Sequence, residues 1–392
     1  MSLFLLFASA WLNYIDRGTL GVAAPVLAPE LHFRPSQMGW LLSAFFWTYA
    51  CCQPLAGWLV QRYDVVKVYG LAFFLWSVAT LLTGFAGGFA ALFLLRMLLG
   101  AGESAAFPSY ARILTTAVPE HRRGLAFAMV DIGTKGGAAL GTYLGGQLVA
   151  AYGWRSMFLV LGGISLLWLP PWFLFAPKAK GFAGSAEPAP SMPRILREHR
   201  AWATFFGLFC FNYSYYFLLT WLPSYLVAER HFSLRMMSVF AALPFAVTAV
   251  ASLAMGWWSD RWIRAGRAAP RVRQAVLLSG LLLCGLTLTS ATVAGNRLAM
   301  TALMVAFLGL GVATSNVWAF TQTLAGPSAA SQWTGLQNGF GNLGGVVAPV
   351  VTGMIVQQTG SFFLAFAAAS VMLFLSALCY GGWLWRVEPV EW

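Results

Sequence analysis

Residues 3–27 read LFLLFASAWLNYIDRGTLGVAAPVL. A helix crosses a bilayer with about 20 predominantly apolar residues, and this stretch is long enough. At its middle, however, it carries Asp16 beside Arg17. A charge near the bilayer centre costs roughly 2.5–3.5 kcal/mol even on the mildest scale, so such residues sit where they face a protein interior or a water-filled path. The same conflict recurs further along. Arg96, Glu103, Asp131 and Lys135 also fall inside apolar stretches, all in the first half of the chain. Three acids and three bases sum to zero. Balanced charge inside lipid-spanning helices suits the movement of a charged solute together with protons.

The rest of the chain reads the same way. Of its 392 residues, 59% are hydrophobic and 9% charged, with a mean hydropathy of +0.71. Soluble domains carry about 25% charged residues, so the composition specifies an all-α polytopic membrane protein. Twelve spans are predicted, at about 3–27, 37–60, 69–87, 89–114, 124–150, 154–175, 201–227, 236–258, 274–294, 298–322, 333–357 and 361–384. They leave no room for a soluble catalytic domain. The first span starts almost at Met1 and carries no cleavage site, so it reads as a retained helix and not a signal peptide. A short basic leader would be usual ahead of it.

The net charge of +12 could suggest nucleic acid, but its distribution assigns it to topology. Fourteen Lys and Arg fall in loops after even-numbered spans, against five in the odd-numbered loops. By the positive-inside rule the even loops and both termini of this multi-pass protein are expected in the cytoplasm. The five cysteines all lie within spans, and no Cys/His cluster has ligand spacing, so neither a disulfide framework nor a metal site is expected. His32, His121, His199 and His231 fall in loops. An intramembrane enzyme would need a nucleophile with its base, or metal ligands, and the spans hold no histidine. The chain is therefore read as a transporter and not an enzyme.

Pro177 to Arg200 is the longest polar interval, rich in Ala, Pro, Gly and Ser. It reads as a cytoplasmic linker (177–200) between two six-helix bundles, 1–176 and 201–392. The halves echo each other. Gly57-Trp58-Leu59-Val60-Gln61-Arg62 ends the second span, and Gly256-Trp257-Trp258-Ser259-Asp260-Arg261 ends the eighth. Repeated bundles of this kind are the sequence trace of a transporter that works by alternating access. In both copies the glycine is expected to allow a close helix approach. Gly57, Arg62, Asp260 and Arg261 are read as conformational latches. Clustered glycines in the fifth span (Gly136, Gly137, Gly141, Gly145, Gly146) and the eleventh (Gly339, Gly341, Gly344, Gly345, Gly353) are expected to pack helices closely.

This layout resembles the major facilitator superfamily. Asn13-Tyr14-Ile15-Asp16-Arg17, Arg96 with Glu103 and Pro108, Tyr49 with Gln53, Thr220-Trp221-Leu222-Pro223, and Gly341-Asn342-Leu343-Gly344-Gly345 through Pro349 resemble its anion:cation symporter family. That family includes bacterial proton symporters for sugar acids and the sialic acid and vesicular glutamate carriers. The resemblance implies proton coupling at Asp16 and Glu103 with Arg96 as their charge partner. It implies carboxylate binding at Arg17, and a solute cavity lined by Tyr14, Tyr49, Gln53, Ser315, Trp318 and Asn338. Asp131 and Lys135 depart from the family pattern. They are four residues apart and can form an intrahelical pair, or Lys135 can contact a second group of the solute. Tyr213, Tyr215 and Tyr216 cluster in the seventh span, where they can serve packing or, with Tyr216 the chosen candidate, stack on a sugar face.

The resulting expectation is a proton-coupled symporter of a small organic anion such as an aldonate or hexuronate. The proton is its coupling ion, no cofactor is needed, and it works as a monomer in the lipid bilayer. A proton-antiport exporter or a uniporter of another metabolite or drug is the alternative, and Arg17, Arg96 and Lys135 argue for the anion.

Overall fold

The computed structural model describes residues 2–118, 120–176, 190–293, 295–384 and 390–392, without the side chains at 2, 120–125, 127, 128, 327 and 331. Most of the linker, 177–189, and the loop arginines Arg122 and Arg123 therefore lie outside the described residues and side chains. Among the described residues the chain is helical throughout. The helices are α1 (Ser2–Glu30), α2 (Pro35–Arg62), α3 (Val65–Thr83), α4 (Phe89–Glu103), α5 (Ala106–Ala117), α6 (Glu120–Leu167), α7 (Leu169–Phe175), α8 (Met192–Arg197), α9 (His199–Ala228), α10 (Leu234–Arg264), α11 (Ala269–Leu288), α12 (Ser290–Val293), α13 (Asn296–Thr359) and α14 (Phe363–Ala377). A π-helical turn follows at Leu378–Trp383.

Two of these contain a reversal. Gly153 in α6 (φ 79°) and Gly326 in α13 (φ 68°) adopt left-handed backbone, which glycine enters without a Cβ penalty, so each long element holds two spans. Eight helical stretches meet the length and apolarity of a span among the described residues, one of them, Met129–Phe175, covering both arms of the Gly153 bend. The remaining helices of spanning length are α1, α2 and α9. They are also the helices that carry Asn13, Asp16 and Arg17, then Tyr49 and Gln53, then Asn212 and Tyr216. Of these, Asn13, Asp16 and Arg17 on α1 and Tyr216 on α9 are buried inside the protein. The spans expected from the sequence fit this order, with α4 and α5 forming one span broken at Ser104 and Ala105.

Most of the clustered glycines admit a close neighbour, while at Gly339 nothing among the described residues lies within 4 Å of a built Cβ. A Cβ at Gly141 would sit 2.8 Å from Ile15 Cα, and one at Gly344 would sit 2.7 Å from the Tyr213 amide nitrogen. The fifth span thus packs on the first, and the eleventh on the seventh, in matching register. The latch glycines do not act as expected. At Gly57 and at Gly256 nothing lies within 4 Å of a built Cβ, so neither permits a close contact in this conformation. Arg62 stands over Trp58 and Arg261 over Trp257, with ring distances of 5.8 and 5.7 Å, and Asp260 is exposed. Among the described residues no helix backbone approaches either glycine within 4 Å of a built Cβ.

By contact density the chain forms two compact units. One comprises Met1–Ala183, Leu219–Ala242 and Pro349–Gln358; the other comprises Gly184–Leu218, Leu243–Ala348 and Thr359–Trp392. Within the first, the start of α2 meets the end of α13 backbone to backbone. A Cβ at Gly39 would lie 2.6 Å from the Pro349 carbonyl oxygen, and one at Gly353 would lie 2.4 Å from that of Pro35. The Ser36 amide donates to Gln357 Oε1 at 3.2 Å, and Trp221 Nε1 donates to the Pro349 carbonyl at 3.2 Å. Side chains of any size would force this contact apart. Gly39→Val is expected to lower solute exchange at least about tenfold while the purified protein keeps its helical circular dichroism. Wild-type exchange would mean that the contact is incidental to transport.

Candidate solute and proton site

The intramembrane charges expected to carry function gather in the first unit. Arg17 is buried and donates from both Nε and Nη2 to Glu103 Oε2, at 3.0 and 2.8 Å. Its Nη2 also reaches Asn13 Oδ1 at 3.4 Å. The guanidinium is held among the rings of Tyr14, Phe45 and Tyr49, at 4.5, 4.9 and 4.7 Å from their centroids. A planar cation surrounded by π-faces is stabilised there without a second carboxylate. Tyr49 stacks on Phe45, which fixes the position of that wall.

The charge pairing differs from the sequence expectation. Arg96 and Glu103 lie two turns apart on α4, but the partner bonded to Glu103 is Arg17 from α1. Arg96 makes no hydrogen bond or ion pair among the described residues. It lines, together with Arg17, a cavity of about 10 Å³ closed by Gly18, Gly21, Leu42, Phe45, Phe46, Leu219 and Thr220. That volume is about the size of one water. Two guanidinium groups on one small, otherwise apolar cavity make it a favourable place for negative charge.

Asp16 is fully buried. Its Oδ2 accepts from the Ser165 hydroxyl at 3.0 Å, and its Oδ1 has no hydrogen-bond partner among the described residues. No cation lies within ion-pair distance of it among the described residues. Glu103 is likewise fully buried, and its Oε1 has no hydrogen-bond partner among the described residues. Unpaired oxygens on two buried carboxyl groups are costly if both are ionised. Ser165 and Phe45 are partners that the sequence reading missed. Ser165 is one more hydroxyl in an apolar span, and nothing local marks it as facing Asp16.

Lys135 pairs with Asp131 four residues earlier, as spacing allowed. The Asp131 side chain is 54% exposed and that of Lys135 14%, so this pair stands apart in burial from the Arg17–Glu103 pair. Gln53 is half-buried.

The second unit holds the other expected lining residues. Tyr216 Oη donates to Asn342 Oδ1 at 2.8 Å, and Asn342 Nδ2 donates to the Asn338 carbonyl at 2.8 Å. The Ser315 hydroxyl donates to the Val312 carbonyl and accepts from Asn316 Nδ2. Trp318 is 36% exposed. Asn342 was quoted in the sequence pattern without a role, and it joins Tyr216 to Asn338. Among the described residues no group of three or more His, Cys, Asp or Glu could hold a metal.

Comparison with known proteins fits this architecture. A probable sulfoacetate transporter of Cupriavidus necator is 33% identical over 388 residues, which cover 94% of this chain and 90% of that protein. A D-galactonate transporter of Escherichia coli is 30% identical over 406 residues, covering 97% and 94%. A crystal structure of a bacterial homologue of the human lysosomal transporter Spinster, in an inward-facing and occupied conformation, superposes with a TM-score of 0.84 over 98% of this chain and 96% of that one at 18% identity. The family model described as Major Facilitator Superfamily matches residues 6–349. Twelve spans in two repeated sets, inward-facing charge and full-length relatives lead to one statement: this membrane-spanning chain belongs to the Major Facilitator Superfamily and is a transporter, not an enzyme.

Proposed function

We propose that the chain imports a small organic anion, such as an aldonate or hexuronate, across the bacterial inner membrane by alternating access, coupled to protons. The observation that carries this reading is the buried Arg17–Glu103 pair, in which one carboxylate oxygen takes both arginine bonds and the other is orphaned. An arginine bonded this way is electrostatically occupied. A proton on Glu103 releases it, and the solute carboxylate then takes the same two donors, a geometry for which the guanidinium fork is suited. Arg17 and Arg96 balance Asp16 and Glu103 in charge. A monovalent anion entering that neutral set restores balance when one proton enters with it, and an uncompensated buried charge is what the low-dielectric interior disfavours.

Asp16 is the second proton site in this reading, with only the Ser165 hydroxyl beside it. Tyr14, Tyr49 and Gln53 line the solute path from the first half, and Tyr216, Ser315, Trp318 and Asn338 line it from the second. Lys135 contacts a second group of the solute once Asp131 lets it go. The proton is the coupling ion and no cofactor takes part, the working unit is a monomer, and both termini face the cytoplasm. The named relatives are a probable sulfoacetate transporter and a D-galactonate transporter, and these two anions share a carboxylate beside further polar or anionic groups.

The test is a thermal-shift panel on detergent-solubilised protein. D-Galactonate, glucuronate, glucarate and sulfoacetate are compared with their neutral sugar counterparts. A ligand at 100 times its Kd stabilises the native state by about 2.7 kcal/mol, so at least one anion is expected to raise the melting midpoint by several degrees. A shift with a neutral or cationic drug and with none of the anions overturns the reading in favour of the exporter.

A further inference from the structure

Helices α2 and α4 meet backbone to backbone at Gly100. A Cβ there would clash with the Phe45 carbonyl oxygen and sit 2.5 Å from Thr48 Oγ1. Beside this contact the Thr48 hydroxyl donates to the Met97 carbonyl oxygen at 2.6 Å. A threonine in a helix often bonds back to its own helix instead. Here that acceptor, the Phe45 carbonyl oxygen, is 3.4 Å away, so the bond between the helices is the shorter one.

Each side of this crossing carries part of the Arg17 site. On α4, Met97 follows Arg96 and lies six residues before Glu103, about 9 Å along the axis. Glu103 is the last residue of α4, because the fourth span breaks at Ser104 and Ala105, and a helix end is less constrained than its interior. On α2, Phe45 precedes Thr48 by three residues and Tyr49 follows it. Their rings stack with centroids 5.1 Å apart and stand 4.9 and 4.7 Å from the Arg17 guanidinium. Arg17 therefore lies between a carboxylate supplied by α4 and rings supplied by α2. The spacing of those two walls is the spacing of the two helices.

We propose that Thr48 is a positioning residue for solute binding: its bond to Met97, with the close approach that Gly100 allows, sets the α2–α4 spacing at which Arg17 faces the two rings and Glu103 together. This role rests on the reading of Arg17 as the anchor of the solute carboxylate. Without the bond, α2 shifts against the end of α4, the guanidinium loses one of its walls, and its fork no longer stands where the carboxylate needs it. In a preorganised site a misplacement of about 1 Å can cost about a hundredfold. The second unit holds the same device without the charges. Thr248 Oγ1 donates to the Phe307 carbonyl oxygen at 2.9 Å, and a Cβ at Gly311 would sit 2.6 Å from the Thr248 carbonyl oxygen. From Leu298 to Thr359, α13 carries no Asp, Glu, Lys or Arg. Loss of the Thr248 hydroxyl therefore costs the same kind of packing and moves no charged group.

The test compares Thr48→Val, which keeps the branched shape and removes the donor, with Thr48→Ser, which keeps the donor, and with Thr248→Val. Counterflow in vesicles is measured across solute concentration, with a labelled anion that the wild type carries from among D-galactonate, glucuronate, glucarate and sulfoacetate. In Thr48→Val, KM is expected to rise at least fivefold with the maximal rate within twofold of wild type. Thr48→Ser and Thr248→Val should keep both within twofold. Where Thr48→Val fails to fold, Thr48→Cys carries the test. A thiol is a weaker donor than a hydroxyl, so its KM should stand at least twofold above that of Thr48→Ser. A wild-type KM in Thr48→Val, or in Thr48→Cys where that variant stands in, overturns the proposal. So does a KM raised equally in Thr48→Ser or in Thr248→Val. A fall in maximal rate alone does the same, since the bond would then only hold the helices together. All of these outcomes leave the anion reading standing. A wild type that carries a neutral or cationic solute and none of these anions overturns that reading, and the role of Thr48 with it.

Discussion

Glu103→Gln is expected to bind and exchange the anion as the wild type does and to lose accumulation altogether. Glutamine resembles the protonated acid in shape and charge but cannot release a proton. In the wild type, Arg17 Nε and Nη2 are both committed to Glu103 Oε2, so the anion and the carboxylate compete for one guanidinium. In the variant this competitor is neutral at every pH. Affinity should therefore stay within about threefold of the wild-type value at its best, less than about 1 kcal/mol. Its pH dependence should also flatten. Wild-type binding takes up a proton, so affinity falls as pH rises, and the sign follows from linkage because the bound state holds more protons. With the group that exchanges its proton against the anion fixed neutral, protonation of Asp16 alone no longer links proton entry to release of Arg17, and uptake in vesicles should stop at equal concentrations inside and out. Counterflow compared with gradient-driven uptake measures both halves of this expectation. Gradient-driven accumulation at the wild-type level would remove Glu103 from the coupling.

Arg17→Ala is expected to abolish binding, with an affinity loss of at least about a hundredfold, roughly 2.7 kcal/mol. It also leaves the Glu103 carboxylate buried without its partner, and breaking a buried pair in this way costs about 3–5 kcal/mol unless the remaining group neutralises. Glu103 can do so by taking a proton. Adding Glu103→Gln to Arg17→Ala should therefore recover stability without recovering binding. That pattern separates a solute-binding arginine from a merely structural one. Arg17→Lys should fail as well. An ammonium cannot offer two coplanar donors to one oxygen, and it does not match the flat guanidinium held among Tyr14, Phe45 and Tyr49. Titration calorimetry on the purified variants reads the binding loss. Binding within threefold of wild type would take Arg17 out of the site.

The spans, their number and the identity of the buried charged groups were legible in the sequence. A lipid-spanning helix must be apolar for about 20 residues, and an ionisable residue within one is conspicuous for its cost. The echo between halves was legible too. Helix-on-helix packing demands small residues at fixed positions, and Gly141 and Gly344 occupy those positions against Ile15 and Tyr213. Spacing also foretold the Asp131–Lys135 pair, because four residues along one helix is a contact that needs no tertiary information.

Only the tertiary structure decided which helix each face meets. Periodicity put Arg96 and Glu103 on one side of α4, yet the carboxylate is bonded by Arg17 from α1. Nothing in either segment records the offset at which the two helices cross. Ser165 beside Asp16, and Ser9 beside Tyr69 and Tyr110, are meetings between residues 60 to 149 positions apart. The same holds for the glycines of the latch pattern. The residue type permits a close approach, but whether a neighbour arrives is a property of the conformation, and Gly57 has none while Gly39 has Pro349. Sequence fixes what a helix can present to its surroundings, since that depends on chemistry within a few residues. The pairing of what is presented depends on packing between helices, where one turn of offset exchanges one partner for another.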